Sequence, residues 1–351
     1  MPKIHLVLMS VALVAAIGAC TEDPQRSIHS DSMGLDHDAG ELDAAVSPDV
    51  GRTQADALPL DMADEPPVFL DAAVEETGLP VGLSRRTIEH DGLTREYLVY
   101  VPSTYTGDGS GPLLLNFHGF GDDASRHLEM ADMRPLAEAE NIILVYPQGS
   151  PLDTGESHWN PLLDSMNNKS DADDFGFIAA MLAELAVNVS YDERRVYATG
   201  YSNGAGFVYG LVCYSEGRIA AAAPVSGSMY VEMQGDCEPR HPVSIAIFNG
   251  TEDSVRPYDG YPEILLPVDD AVSYWRMRGN IMEPPVMSRF DMGRLTVERS
   301  LHSGGESGAA VALYKVIGGG HVWFDLDIEG ADLNGLIWSF VSQYDIDGLR
   351  Q

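Results

Sequence analysis

The residues best suited to catalysis form the pentapeptide GYSNG at positions 200–204. It fits the pattern G-x-S-x-G and lies between the apolar run 196–199 and a segment of helical spacing that opens at Gly204. In such a setting a strand turns sharply into a helix, and the serine hydroxyl is exposed at the bend beside the positive end of the helix. The pattern predicts that Ser202 is a nucleophile, with a glycine-rich turn of purely structural value as the alternative.

A serine hydroxyl is a weak nucleophile and needs a general base elsewhere in the chain. His321 follows a β-rich run at 311–317 and three glycines at 318–320, in a loop that can bring an imidazole over the serine. The chain order serine, carboxylate, histidine is the one that a strand–turn–helix nucleophile uses. We therefore predict that His321 accepts the proton of Ser202 and later passes it to the leaving group.

Asp253 is the predicted carboxylate that orients this base. It lies in a loop directly after the apolar run 243–248, at the carboxyl end of a strand, where open α/β sheets bind their ligands. An aspartate there would fix the tautomer of the imidazole and stabilise its charged form. Glu252, Asp259 and Asp269 stand close by, and the sequence leaves open which carboxylate reaches the imidazole.

A tetrahedral oxyanion needs backbone donors from two places, one just after the nucleophile and one after an earlier strand. Asn203 supplies the first, and the loop after the run 113–117 supplies the second. We predict the amide of Phe120 as the donor there, with Gly119 providing conformational freedom. His118 is predicted to be a packing residue because it precedes the turn of the loop.

Two acidic segments begin like calcium loops, but neither is complete. In the segment at 171–176 Phe175 replaces a ligand, and Leu182 stands where the bidentate glutamate is needed. The segment at 325–330 fails in the same way at Leu336. The sequence predicts no metal site.

Short apolar runs without sustained alternation lie between segments of helical spacing, which predicts strands buried on both faces and separated by helices. Such an order implies a mostly parallel sheet covered on both sides. Asp174 is expected to cap its helix. The predicted strands span 94–101, 113–117, 142–146, 196–199, 219–225, 243–248 and 311–317, and the predicted helices span 128–139, 174–187, 204–214, 268–278 and 333–344.

The first residues have the layout of an export signal. Lys3 precedes a short apolar run at 6–17, and small residues stand directly before Cys20. This layout predicts a lipoprotein signal peptide over 1–19 and a lipid anchor on Cys20, with ordinary signal cleavage as the alternative. Because Thr21 rather than aspartate follows the cysteine, we expect an outer-membrane lipoprotein or a secreted protein outside the cytoplasm.

Acidic residues dominate the region between the signal and the first strand. Positions 21–77 hold fifteen acidic residues and two arginines, so we predict a disordered acidic linker over 20–80 and a catalytic domain over 81–351. The whole chain of 351 residues carries a formal charge of -33. Because nucleic-acid binding draws its affinity from lysine and arginine, we predict no nucleic-acid partner.

Cysteines 213 and 237 remain once Cys20 is assigned to the anchor. An even pair in a compartment that permits oxidation predicts a disulfide between Cys213 and Cys237. Two buried free thiols are the alternative.

Seven segments lie in order between about residues 84 and 345: YLVYVPS, NFHGFGDDA, DADDFGFI, RVYATGYSNGAG, APVSGSM, NGTEDSVRPYDG and YKVIGGGHVWF. In type and order they resemble the polyhydroxybutyrate depolymerase/feruloyl esterase family of α/β-hydrolases. The resemblance implies an α/β-hydrolase fold, the triad Ser202, Asp253 and His321, and an oxyanion hole at Phe120 and Asn203. It also implies secretion, no cofactor, and ester substrates such as feruloylated or acetylated polysaccharide or short hydroxyalkanoate esters.

The sequence departs from this family at two positions. Ala205 stands where many members have a second glycine, and Phe324 stands where proline is common, beside the predicted base. Trp323 and Trp159 are the predicted aromatic walls of the substrate pocket, because a flat ring can stack on a feruloyl group or a sugar. Core packing is the alternative for both tryptophans.

Two other functions fit parts of the pattern. A serine peptidase of the same fold would use the same triad, but the residues before the domain leave no room for a propeller or large lid. A lipid-anchored binding protein with a vestigial site is the other alternative. The full set of catalytic residue types favours a serine esterase.

Overall fold

A computed structural model describes residues 78–351. The predicted signal peptide, the predicted lipid anchor on Cys20 and the predicted linker as far as residue 77 lie outside the described residues. The strands are β1 (Gly82–His90), β2 (Leu93–Val101), β3 (Leu113–Phe117), β4 (Ile143–Pro147), β5 (Ser150–Pro151), β6 (Ser157–His158), β7 (Val196–Tyr201), β8 (Ala221–Val225), β9 (Ser244–Gly250), β10 (Val286–Met292), β11 (Leu295–His302), β12 (Val311–Ile317), β13 (Tyr344–Asp345) and β14 (Gly348–Leu349).

Helices cover both faces of the sheet that these strands build. They are α1 (Ala124–Met130), α2 (Arg134–Glu140), α3 (Asp174–Asn188), α4 (Asn203–Tyr214), α5 (Met233–Asp236), α6 (Val268–Arg278) and α7 (Leu333–Val341). Two apolar clusters, one on each face, form the core. All seven predicted strands occur, with bounds that shift by two residues at most.

The main sheet has ten strands in the order β1-β2-β4-β3-β7-β8-β9-β12-β11-β10. The pairs from β4 to β12 in this order are all parallel. Their strands are apolar and almost wholly buried because helices cover both faces. The predicted mostly parallel sheet is confirmed. Its central strands end together, so the loops after β3, β7, β9 and β12 meet at one edge.

Antiparallel hairpins close both ends of this sheet. β1 pairs with β2, and β10 pairs with β11, through a turn at Gly293, where φ is 74°. Neither β1 nor the hairpin β10–β11 is among the predicted strands. These strands are partly exposed and carry many polar residues, so they lack the apolar runs that marked the central strands.

Two local predictions are wrong. The single helix expected at 128–139 is two helices, α1 and α2, because the chain leaves helical geometry at Ala131 (φ -118°, ψ 54°). The N-cap of α3 is Asp173, whose Oδ1 accepts a hydrogen bond from the amide of Gly176 at 2.8 Å. Asp174 is instead buried and forms an ion pair with Arg95.

A disulfide joins Cys213, near the end of α4, to Cys237, which follows α5. The predicted pairing is therefore present in the structure. A loop closed over 24 positions stabilises the folded state by about 3 kcal/mol in the chain-entropy model. The bond fixes the far end of α4, the helix that directly follows Ser202.

Neither a membrane span nor a metal site is found in the part of the chain that the structure describes. Within residues 78–351, no helix is long and apolar enough to cross a bilayer. The same residues contain no group of three or more histidine, cysteine, aspartate or glutamate side chains arranged to hold a metal ion.

Candidate active site

Ser202 lies at the sharp turn between β7 and α4. Its backbone has φ 55° and ψ -113°, a conformation that a non-glycine residue rarely adopts. A Cβ on Gly204 would lie 2.4 Å from the carbonyl oxygen of Phe117, and a Cβ on Gly200 would lie 2.9 Å from the backbone of Gly204. Both glycines of the pentapeptide are therefore required by sterics, and the turn holds the serine above the end of the sheet.

The three predicted triad residues meet at this turn. The Nε2 atom of His321 is 2.8 Å from the Oγ of Ser202, and its Nδ1 is 2.8 Å from Oδ2 of Asp253. An ionised carboxylate only accepts hydrogen bonds, so Nδ1 carries the proton and Nε2 is free to accept the serine hydroxyl. The arrangement can remove a proton from Ser202 and return it to a leaving group.

The loops that carry Asp253 and His321 are joined to each other. The amide of Glu252 donates to the carbonyl of Gly319 at 2.8 Å, and the amide of Gly318 donates to Oγ1 of Thr251 at 3.0 Å. A Cβ on Gly250 would lie 2.2 Å from the same Gly319 carbonyl oxygen, so the close approach needs glycine. These contacts hold the distance between the carboxylate and the imidazole.

Among the nearby carboxylates, the one that bonds to the imidazole of His321 is that of Asp253. The side chain of Asp253 is fully buried, and its Oδ1 accepts hydrogen bonds from the amides of Val255 at 2.8 Å and Arg256 at 2.7 Å. Glu252 is exposed, and Asp269 accepts a hydrogen bond from the hydroxyl of Tyr258. Asp259, which is also exposed, shares no hydrogen bond with the imidazole. Asp253 thus has one oxygen fixed by the backbone and the other directed at His321.

The two predicted oxyanion donors flank the serine. Asn203 is the first residue of α4, and Phe120 follows β3 on the neighbouring loop. Within residues 78–351, neither backbone amide donates to another protein group. A Cβ on Gly119 would lie 3.4 Å from the Cβ of Ser202 and 3.0 Å from the ring of Tyr201. The loop therefore packs directly on Ser202, and the amides of Phe120 and Asn203 are left without a protein acceptor on either side of it.

His118 supports this loop as a neutral group. Its Nε2 accepts the amide proton of Gly149 at 2.9 Å, so its Nδ1 carries the proton and donates to the carbonyl of Gly119 at 2.7 Å. Burial lowers the pKa of His118 to about 4. The imidazole is uncharged at neutral pH and both nitrogens are occupied, which agrees with the predicted packing role.

Sequence comparison finds relatives over most of the chain. It is 28% identical over 265 residues to feruloyl esterase B of Piromyces equi, covering 72% of this chain and 46% of the relative. It is also 28% identical over 259 residues to the bifunctional acetylxylan esterase/xylanase XynS20E of Neocallimastix patriciarum, covering 73% of this chain and 34% of that relative. The chain thus spans less than half the length of these relatives. No family model matches it.

Structural comparison gives the fold. An acetyl xylan esterase from Aspergillus awamori superposes with a TM-score of 0.50 at 16% identity, over 68% of this chain and 94% of the other. A thermostable esterase superposes with a TM-score of 0.50 at 16% identity, over 75% of this chain and 63% of the other. The chain has the α/β-hydrolase fold. The predicted resemblance to feruloyl esterases is confirmed by the sequence relatives.

The two tryptophans predicted to line the substrate pocket lie in different surroundings. Trp159 is fully buried (0% exposed) and stacks on Phe207 with ring centroids 5.0 Å apart, so the prediction that it faces substrate is wrong. Trp323 is half-buried, and its Nε1 donates to Oδ1 of Asn334 at 3.2 Å. A pocket role for Trp323 stays a prediction.

Two residues that the sequence did not single out hold the loop of His321 in place. The hydroxyl of Tyr201 donates to the carbonyl of His321 at 2.8 Å, and its ring lies 5.0 Å from the imidazole. The hydroxyl of Ser226 donates to the carbonyl of Val322 at 2.7 Å. Tyr201 is a variable position of G-x-S-x-G, so only the three-dimensional contact reveals its function.

The two residues that depart from the family pattern, Ala205 and Phe324, are both buried in the core. A Cβ on Gly227 would lie 2.3 Å from the Cβ of Ala205, so a glycine at 227 makes the space for the extra methyl group. Phe324 is buried, and its ring is 3.0 Å from the position of a Cβ on Gly319. Phe324 therefore packs beneath the loop that carries His321.

Proposed function

We propose that this chain is a serine carboxylic-ester hydrolase that works through an acyl-enzyme. One observation carries the proposal: a continuous line of hydrogen bonds runs from the Ser202 hydroxyl through the His321 imidazole to the buried Asp253 carboxylate. Beside Ser202 stand the backbone amides of Phe120 and Asn203, which donate to no protein group within residues 78–351. The esterase relatives support the same class of reaction.

The reaction proceeds in two halves. The oxygen of Ser202 attacks the ester carbonyl carbon while Nε2 of His321 takes the hydroxyl proton, and the amides of Phe120 and Asn203 stabilise the resulting oxyanion. When the carbon–oxygen bond to the leaving group breaks, the imidazolium protonates the alkoxide. Water then attacks the acyl-serine with the same base, which releases the acid and restores the serine. Asp253 stabilises the imidazolium in both halves.

Feruloyl or acetyl groups on polysaccharide are the proposed substrates, since the sequence relatives are a feruloyl esterase and an acetylxylan esterase. Hydrolysis of hydroxyalkanoate oligomers, the polyhydroxybutyrate depolymerase-like activity, is the competing ester class. A serine peptidase of the same fold and a binding protein with a vestigial site are the other outcomes. No cofactor enters this mechanism.

A hydrolysis panel tests the substrate class. We expect kcat/KM on methyl ferulate or acetylated xylan to exceed that on hydroxybutyrate oligomers by at least about tenfold, because substrate preference is a difference in transition-state binding. The measurement is kcat/KM on these three esters, on p-nitrophenyl acetate and on a peptide anilide. Preference for the oligomers would reject the polysaccharide assignment, amide cleavage would favour a peptidase, and no turnover would favour a binding protein.

Export is the second part of the proposal. The short apolar run before Cys20 supports a signal peptide and a lipid anchor that holds the enzyme on a membrane outside the cytoplasm. We expect metabolic labelling with a fatty acid to tag the wild-type protein and not the Cys20→Ala variant. An untagged wild type in the exported fraction would instead mean ordinary signal cleavage and a secreted enzyme.

A further inference from the structure

The buried Trp159 lies between the two halves of the proposed oxyanion hole. Its backbone amide donates to Oδ1 of Asn203 at 2.7 Å, and its carbonyl accepts from Nδ2 of Asn203 at 3.1 Å. Its indole Nε1 donates to the carbonyl of His118 at 3.1 Å, two residues before Phe120. One residue thus contacts the segments that carry both oxyanion donors.

Trp159 stands on a segment with little regular structure of its own. The two strands that precede it, β5 and β6, have two residues each, and no strand lies between β6 and α3. The position of this segment therefore depends on side-chain contacts. One of these contacts is at the next residue, where the amide of Asn160 donates to Oδ2 of Asp174 at 2.8 Å.

Asp174 belongs to an ion pair that is almost completely removed from water. Its Oδ1 accepts from Nη2 of Arg95 at 2.7 Å, and the side chains of Arg95 and Asp174 are 3% and 0% exposed. The guanidinium of Arg95 lies 4.0 Å over the ring of Phe177. Arg95 is on β2 and Asp174 begins α3, so the pair ties a strand and a helix to the segment that carries Trp159.

We propose that the Arg95–Asp174 ion pair positions the oxyanion hole, acting through the backbone of Asn160 and Trp159 on Asn203 and His118. The proposal rests on the proposed function, because it assigns a catalytic value to the amides of Phe120 and Asn203. Neither Arg95 nor Asp174 touches the substrate; both are positioning residues. A displacement of the donor amides by about 1 Å lowers the rate by up to about 100-fold. An ion pair that holds their positions therefore affects kcat even though it does not touch the substrate.

The Asp174→Asn variant tests this inference. An amide offers one acceptor and one donor, so its NH₂ group must face either the Arg95 guanidinium or the Asn160 amide, which are both donors. We expect kcat for p-nitrophenyl acetate to fall about 10- to 100-fold with KM within about two-fold, because the lost interaction acts on the transition state. The inhibition constant of a boronic acid that forms a tetrahedral adduct with Ser202 should rise by the same factor.

Tyr197→Phe is the matched control for stability. It removes a buried hydrogen bond from the Tyr197 hydroxyl to the carbonyl of Tyr344 at the opposite end of the sheet. We expect this variant to lower Tm and leave kcat unchanged. If Asp174→Asn behaves in the same way, with lower Tm but normal kcat and boronate affinity, the ion pair is only structural and the inference is overturned.

A double variant keeps the test decisive if Asp174→Asn does not fold. Replacing the pair together, Arg95→Met with Asp174→Leu, removes both charges, and apolar replacements of buried ion pairs are often neutral or stabilising. We expect a folded protein that still has a reduced kcat because the Asn160 amide has lost its acceptor. Wild-type kcat in the double variant would reject the inference, whereas turnover by Ser202→Ala would reject the proposed function itself.

Discussion

Replacing Ser202 with alanine should lower kcat for p-nitrophenyl acetate by about 10⁶-fold, to the level of the oxyanion hole acting without a nucleophile. The Oγ atom is the only non-hydrogen atom lost, and it lies 2.8 Å from Nε2 of His321. The strained backbone at φ 55° stays, because glycines 200 and 204 rather than the serine side chain make the turn possible. The fold is therefore unaffected, and circular dichroism and Tm should match the wild type.

Ser215→Ala is the matched control for this variant. Ser215 caps the other end of α4, about 18 Å away by the rise of a helix of this length, and its buried hydroxyl has no hydrogen-bond partner within residues 78–351. We expect this variant to retain the wild-type kcat. Turnover by Ser202→Ala at more than about a hundredth of the wild-type rate would contradict the assignment of the nucleophile.

Local sterics explain why so much of this site could be predicted from the sequence. The glycines of G-x-S-x-G are needed because backbone atoms pass within 3 Å of where their side chains would be, and such a need leaves a fixed spacing in the chain. The apolar runs at 113–117 and 311–317 match β3 and β12 residue for residue, since strands buried on both faces admit few polar residues.

Contacts between distant positions explain what the sequence did not reveal. Asp173 and Asp174 are equally good capping residues in the sequence, and only the buried Arg95, 79 positions away, separates their roles. Trp159 is likewise a plausible pocket wall until its ring is found stacked on Phe207 in the core. The type of an aromatic or acidic residue limits the functions that it can have, and the residues that it contacts in the fold determine which one it has.

Replacing Asp253 with asparagine should lower kcat by about 10⁴-fold while leaving the three side chains in place. In the native site Oδ1 accepts the amides of Val255 and Arg256, so the asparagine oxygen must occupy that position to keep both hydrogen bonds. Its NH₂ group then faces Nδ1 of His321 and donates to it. The imidazole proton moves to Nε2, which can no longer accept the proton of Ser202.

Glu252→Gln is the matched control for Asp253→Asn, because it makes the same chemical change at the preceding, exposed residue. Only the backbone of Glu252 takes part in the contact between the two loops, through its amide to Gly319. We expect kcat of Glu252→Gln to equal that of the wild type, measured with p-nitrophenyl acetate at pH 7. The opposite pattern, an active Asp253→Asn and an inactive Glu252→Gln, would assign the orienting carboxylate to residue 252. The buried Oδ2 of Asp253 is the carboxylate oxygen that bonds to the imidazole. We therefore expect the loss of kcat in Asp253→Asn and not in Glu252→Gln.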